Sequence, residues 1–319
     1  MRNNNLSRID FIGIGAMKGG TTWLYSRLME VPCFWLPPEK EIHYFDRSFK
    51  YASPNTLAKK NPFLRCFNLK QTFFKLKKTF AHLLNRDYKQ FYWYLNFYFS
   101  FYNDNWYSSL FKKVPINNYC GEITPGYAIL NKFDIEKVYG VAPEAKLIFL
   151  LRNPIDRAWS HYRYSRTNEK NFNEKELDFN SIKDFINSDL QDLRSNYLKT
   201  IENYLAFYKS DNIMLGFYDA ISDSPEKLLV DITEYLTSEK INVSNYCNLK
   251  SKSNVSTYKT EIPHEVYEYL KTKYRPLINE LSLNYGSYCT KWYKDLYESD
   301  SVISNEIELK PTIILSSIS

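Results

Sequence analysis

Residues 11–30 read FIGIGAMKGGTTWLYSRLME, and the fold turns on how this stretch divides. The run at 9–15 (IDFIGIG) is apolar and bounded by glycine, which predicts a buried strand. Apolar spacing over 21–30 predicts a helix. Between them lie Gly13, Gly15, Lys18, Gly19, Gly20, Thr21 and Thr22. Glycines let the backbone turn tightly and bring amides close to an anion. The helix start adds free N–H groups and the positive end of the helix dipole. Thr21 or Thr22 can cap the helix and donate a hydroxyl, and Lys18 adds a full charge. Residues 18–22 therefore predict a phosphate or phosphosulfate site. An ATPase loop needs G-x-x-x-x-G-K-[ST]. Gly15 and Gly20 have that spacing, but Thr21 stands where the lysine should be, and Lys18 lies inside the loop. A dinucleotide fingerprint fails at the same place, because its third glycine would be Lys18.

Further short apolar runs follow at 119–123, 146–151 (KLIFLL) and 212–218 (NIMLGFY), each ahead of a turn and a helical pattern at 131–139, 154–166 and 224–236. Strands alternating with helices predict an α/β fold, a central parallel sheet flanked by helices, with ligands at the carboxyl ends of the strands. We expect one domain over 1–319, with no internal repeat. Residues 48–118 interrupt the pattern. They are lysine-rich and aromatic (QTFFKLKKTFAHLL, FYWYLNFYFSFY) and read as a helical insert packed on the sheet. Residues 300–319 read as a loose tail or a late edge strand.

The 319 residues are 44% hydrophobic, with 28 Tyr and 21 Phe, so a large core is available. The net charge of +6 permits an anionic ligand but does not demand nucleic acid. The first ten residues lack the apolar core of a signal peptide, and no run of about 18 apolar residues suggests a membrane span. Five scattered cysteines without a CxxC fit a reduced, cytoplasmic protein.

A second anion site is predicted at 145–166, AKLIFLLRNPIDRAWSHYRYSR. Arg152 follows the strand, where a ligand would lie, and its forked guanidinium suits phosphate. Asn153 and Pro154 suit a helix start. Ser160, two turns on, can reach the same pocket. Arg157, Arg163 and Arg166 read as surface or ion-pair residues. His82, His161 and His264 read as packing residues.

The third stretch is PPEKEIHYFDR at 37–47, offering Glu39, Glu41, His43 and Asp46. Two prolines end the preceding element, and IHYF reads as a short strand. On it Glu41 and His43 would face the same side, with Glu39. A carboxylate or histidine beside a reacting group can take a proton from an attacking hydroxyl.

Taken together, these stretches resemble the sulfotransferases that use 3′-phosphoadenosine 5′-phosphosulfate (PAPS), nearest to the bacterial and heparan-sulfate-type carbohydrate enzymes. K-x-G-T-T after a strand resembles their 5′-phosphosulfate loop. R-N-P-x-x-R-x-x-S resembles their 3′-phosphate motif, and K-E-x-H-Y-F-D their catalytic segment. The resemblance implies PAPS as sulfuryl donor and PAP as product, with no metal. It assigns Lys18, Gly19, Gly20, Thr21, Thr22, Trp23, Arg152 and Ser160 to the nucleotide. Glu41 becomes the base, His43 a supporting donor, and Lys18 the cation at the leaving oxygen. GEITPGY at 121–127 resembles a G-E-K-[ST]-P-x-Y stretch beside the acceptor, which points to Glu122 and Tyr127 as acceptor contacts. Ile123 replaces that stretch's lysine. The family's nucleotide-covering K-G-R loop is absent near 251–260, where Lys252, Asn254 and Ser256 occupy the place. Trp292 would pack the end of the fold. The resemblance covers about residues 9–293, with 48–118 poorly matched. The implied acceptor is a carbohydrate or other hydroxyl or amine compound, with no nucleic-acid partner. A P-loop kinase or NTPase is the alternative that the lysine position disfavours. A nucleic-acid binder using 48–118 is the third reading.

Overall fold

β1 (Phe11–Gly15) is buried at all five positions, as expected of an apolar, glycine-containing run with no alternation. The computed structural model describes residues 8–51, 69–166, 178–247, 261–297 and 307–318. β1 pairs in parallel with β3 (Tyr119–Ile123) on one side and β4 (Lys146–Leu151) on the other. β2 (Phe34–Trp35) adds to β3, and β5 (Ile213–Phe217) adds to β4, both in parallel. β6 (Thr312–Ile314) closes the far edge antiparallel to β5. The order is β2-β3-β1-β4-β5-β6. The chain therefore builds two strands on one side of β1 and then crosses to the other. In sheets of this order that reversal marks the usual ligand position, beyond the carboxyl ends of β1 and β4.

α1 (Thr21–Glu30) follows β1 and buries Trp23, Leu24 and Leu28. The insert supplies α2 (Leu69–Leu84), α3 (Tyr88–Phe99) and α4 (Asp104–Ser109). After β3 come a 3-10 turn (Pro125–Ile129) and α5 (Lys132–Val141), and after β4 comes α6 (Pro154–Arg166). Three short helices, α7 (Phe179–Ile186), α8 (Asp189–Ser195) and α9 (Tyr197–Leu205), lead into β5. α10 (Ala220–Asp223), α11 (Pro225–Thr237), α12 (His264–Tyr285) and α13 (Ser287–Asp295) complete the helices among the described residues. The α/β class and parallel sheet match the sequence expectation.

The aromatic insert joins the sheet through its rings. Tyr107 stacks on Tyr44 at 4.9 Å between centroids, and its hydroxyl donates to the Glu122 carboxylate on β3 at 2.6 Å. Trp93 stacks on Phe97 at 4.9 Å. Each such ring buries a large apolar surface, enough to fix a helix whose own sequence lacks strong helix formers. Trp292 is buried against Phe217, with its indole N–H 3.3 Å from Asp219.

Candidate active site

The chain leaves β1 through a tight turn packed against the end of β4. The Ala16 amide donates to the Leu150 carbonyl at 2.8 Å, and the Gly19 amide to Ala16 at 2.9 Å. A Cβ on Gly19 would stand 2.5 Å from the Leu150 carbonyl oxygen, so no other residue fits there. Gly20 caps α1 at φ 93°, a left-handed conformation that glycine adopts at least cost. No side chain caps α1, so its first-turn N–H groups remain for another acceptor. Lys18 also holds a left-handed backbone, at φ 68°. Its ammonium lies 4.3 Å from the centre of the Tyr164 ring. Burial lowers its pKa to about 8, helped by Arg152 and Arg163 and opposed by Glu41. One ammonium thus senses two arginines and a carboxylate from two other stretches of the chain.

Arg152 emerges at the end of β4, and its guanidinium donates to the Lys18 carbonyl at 3.2 Å. It also lies 4.2 Å from the centre of the Tyr218 ring, at the end of β5. Its own carbonyl is pinned by the Tyr197 hydroxyl at 2.9 Å. The Arg152 Nε is buried with no hydrogen-bond partner, a costly state for a donor unless an anion completes it. Asn153 accepts from the Ile155 amide at 3.0 Å and starts α6, with Pro154 as its first residue. Ser160 is half-buried on α6.

Arg157 departs from the surface role expected of it. It is fully buried, and one of its Nη atoms donates to Gln191 at 2.9 Å and to Ser195 at 2.6 Å on α8. The apolar face of α6 turns inward, and position 157 lies on that face.

Residues 37–47 also depart from expectation, because no strand forms there. Glu41 and His43 instead take left-handed backbone, at φ 65° and 54°. They still meet: His43 Nε2 lies 3.4 Å from a Glu41 oxygen, and His43 Nδ1 lies 2.8 Å from Asp46. Contacts on its side chains hold this backbone, where strand alternation was expected to. Lys40 pairs with Glu41, and Glu39 pairs with Lys78 of α2. Burial works against the charged form of Glu41, but His43 and Lys40 outweigh it and bring the carboxyl down to about 2. Burial likewise works against the charged His43, but Asp46 and Glu41 outweigh it and raise the imidazole to about 9. At neutral pH the pair is imidazolium and carboxylate. Asp46 fits because position 126 is glycine: a Cβ there would stand 2.1 Å from Asp46 Oδ2.

Glu122 and Tyr127, expected on the acceptor side, are both buried. Glu122 accepts from Tyr107 at 2.6 Å, Thr124 at 2.7 Å and Tyr127 at 2.9 Å, while the Tyr127 oxygen accepts from the Tyr44 amide at 3.0 Å. They form the wall behind the catalytic segment and present no free atom to an acceptor. The reason is desolvation: a carboxylate this deep needs hydrogen bonds to both oxygens. Trp23 is similarly in the core, and Ile123 packs on Gly13. Lys252, Asn254 and Ser256 lie outside the described residues.

The structure adds Lys40, Gly126, Arg163, Tyr164 and Tyr218 to the site and makes Asp46 the partner of His43. The spacing of α6 could have exposed Arg163, one turn beyond Ser160. Nothing in the sequence announces Tyr218, which depends on β4 and β5 ending side by side.

Residues 133–288 match the model of the sulfotransferase domain. A crystal structure of a sulfotransferase from Alicyclobacillus acidocaldarius superposes with a TM-score of 0.58 at 19% identity, over 87% of this chain and 96% of that one. A mouse sulfotransferase complexed with PAP reaches 0.45 at 15% identity, over 92% of this chain and 90% of that one. A sulfotransferase domain from the Synechococcus PCC 7002 olefin synthase reaches 0.46 at 14%, over 86% and 96%. No curated protein matches the chain. Residues 133–288 thus match the sulfotransferase domain, and the chain as a whole shares the fold of a solved sulfotransferase.

Proposed function

We propose that the protein moves the sulfuryl group of PAPS to a hydroxyl or amine of an acceptor, with a carbohydrate the favoured class. The observation that carries this reading is the meeting of three distant stretches. Arg152 donates to the Lys18 carbonyl, and the Lys18 ammonium senses Arg152, Arg163 and Glu41. The donor fits what the residues leave open: uncapped α1 amides, the Gly19 and Gly20 turn, and the unpartnered Arg152 Nε. Residues 18–22 would hold its 5′ phosphosulfate, and Arg152 with Ser160 its 3′ phosphate. The donor supplies the sulfuryl group and a phosphate that leaves as an anion.

Lys18 stabilises charge on the departing oxygen, the electrostatic contribution that dominates comparable group transfers. Glu41 is ionised at neutral pH and takes the acceptor proton. His43, kept protonated by Asp46, holds Glu41 in place and donates to the site. A carboxylate near pKa 2 is a weak base at rest. Lys40 is one reason it is weak, so an anion that draws off the Lys40 charge raises the proton affinity of Glu41.

The test is turnover of labelled PAPS against glycans, small alcohols and amines. Lys18→Ala and Glu41→Ala should each reduce it by at least about 10²-fold. Near wild-type turnover in either variant removes that residue from the mechanism. Selective thermal stabilisation by ATP–magnesium over 3′,5′-ADP would replace this reading with a P-loop NTPase.

A further inference from the structure

α2 carries an apolar stripe on the wrong side for a core helix. Phe73, Leu76, Phe80 and Leu84 follow one helical face, and all four are exposed, Phe73 to 70% and Leu84 to 83%. On α3, Tyr92 and Leu95 continue the pattern, while the opposite face buries Tyr94, Phe97 and Tyr98. The hairpin has therefore already used one face for the fold and still presents a second. An exposed apolar surface of this kind marks an interaction site.

Its charge selects the partner. Residues 69–99 contain six Lys or Arg and a single carboxylate, Asp87. Lys77 and Lys89 are exposed beside the stripes. A symmetric contact between two copies would bring these cations against each other. Single-stranded nucleic acid would bind through ring faces, and the stripe is about half aliphatic, with Leu84 its most exposed member. Bulky apolar groups flanked by lysines are instead what an interfacial helix presents to acidic headgroups. No described helix is long and apolar enough to cross a membrane, so α2 would lie in the surface plane.

We propose that the α2–α3 hairpin docks the protein onto an anionic bilayer surface. The hairpin is also fastened to the catalytic segment, through Lys78 to Glu39 and the Tyr94 hydroxyl to the Pro38 carbonyl at 3.4 Å. Docking would thus hold residues 37–47 near the lipid surface. The inference stands on the hairpin alone and does not depend on the donor or acceptor assigned above.

The experiment is co-sedimentation of the full chain with vesicles of phosphatidylcholine, or of phosphatidylcholine with phosphatidylglycerol. We expect binding to the second kind, falling at least tenfold with Phe73→Ser/Leu84→Ser and, separately, with Lys77→Glu/Lys89→Glu. These positions are exposed, so thermal midpoints should stay within a few degrees of wild type, which certifies folding. Absence of binding to anionic vesicles overturns the proposal. So does concentration-dependent dimerisation abolished by the apolar variant, or binding to a single-stranded oligonucleotide with none to vesicles.

Discussion

In the candidate anion loops the backbone does the holding; in residues 37–47 side-chain contacts, within the segment and from distant residues, hold the backbone. Gly19 and Gly20 shape the first loop because nothing larger fits beneath Leu150 or tolerates φ 93°. Arg152 is placed simply by ending β4. Residues 37–47 form no strand or helix of their own. Their conformation rests on the His43–Asp46 contact, the Tyr44 amide on Tyr127, and the space left by Gly126. A site assembled this way separates two jobs. On the proposed assignment, donor binding would use rigid, local geometry, whereas proton handling would use a segment that its neighbours tune.

The strongest way to break the second half without touching the first is Gly126→Ala. The new Cβ would stand 2.1 Å from Asp46 Oδ2, and Asp46 is fully buried with no cheap alternative position. We expect a loss of about 1–3 kcal/mol in stability from the overpacking. Turnover should fall about 10–100-fold as His43 loses its partner, with 3′,5′-ADP affinity unchanged. Calorimetric titration alongside steady-state rates distinguishes the two halves. Equal losses in both would mean that the halves are one unit.

A smaller effect sharpens the first half. Burial and two arginines hold Lys18 near pKa 8. An anion prefers the protonated ammonium, so affinity for 3′,5′-ADP should be level from about pH 7, where the phosphates are charged, up to that pH. Above it, affinity should weaken by up to about tenfold per pH unit, because binding must first restore the proton. The phosphates, with second ionisations near about 6, are already fully charged there. Lys18→Ala should flatten the dependence. A profile of wild type that stays level to pH 10 would remove Lys18 from the anion site.

The same contrast explains what the sequence made legible. Gly19, Gly20, Lys18 and Arg152 declare themselves, since each is read against the next few residues and the strand before it. The four parallel strands from apolar runs were visible for the same reason. β2, with two residues, is too short for any periodicity to register. Glu41 and His43 were found as a pair for the wrong geometric reason: proximity expected from a strand comes instead from two left-handed residues. Glu122 and Tyr127 were misplaced because depth depends on Tyr107, which arrives from an insert with no legible packing direction. Arg157 was misread likewise, its partners lying on α8, more than thirty residues on.

The finest probe of the comparison is the join between insert and catalytic segment, the Lys78–Glu39 pair. Both side chains keep roughly a third of their surface in water, at 32% and 29%. Lys78→Met should therefore cost less than about 1 kcal/mol of stability, because solvent screens the charges and ordering two long side chains offsets much of the attraction. Its rings, above all Tyr107 on Tyr44, carry the insert's attachment instead. If the catalytic segment is tuned through this pair, Lys78→Met should move turnover by a few-fold while leaving 3′,5′-ADP binding alone. A stability loss well beyond 1 kcal/mol by denaturant melting would show that the ion pair, and not the aromatic packing, fastens the insert to the segment that carries Glu41.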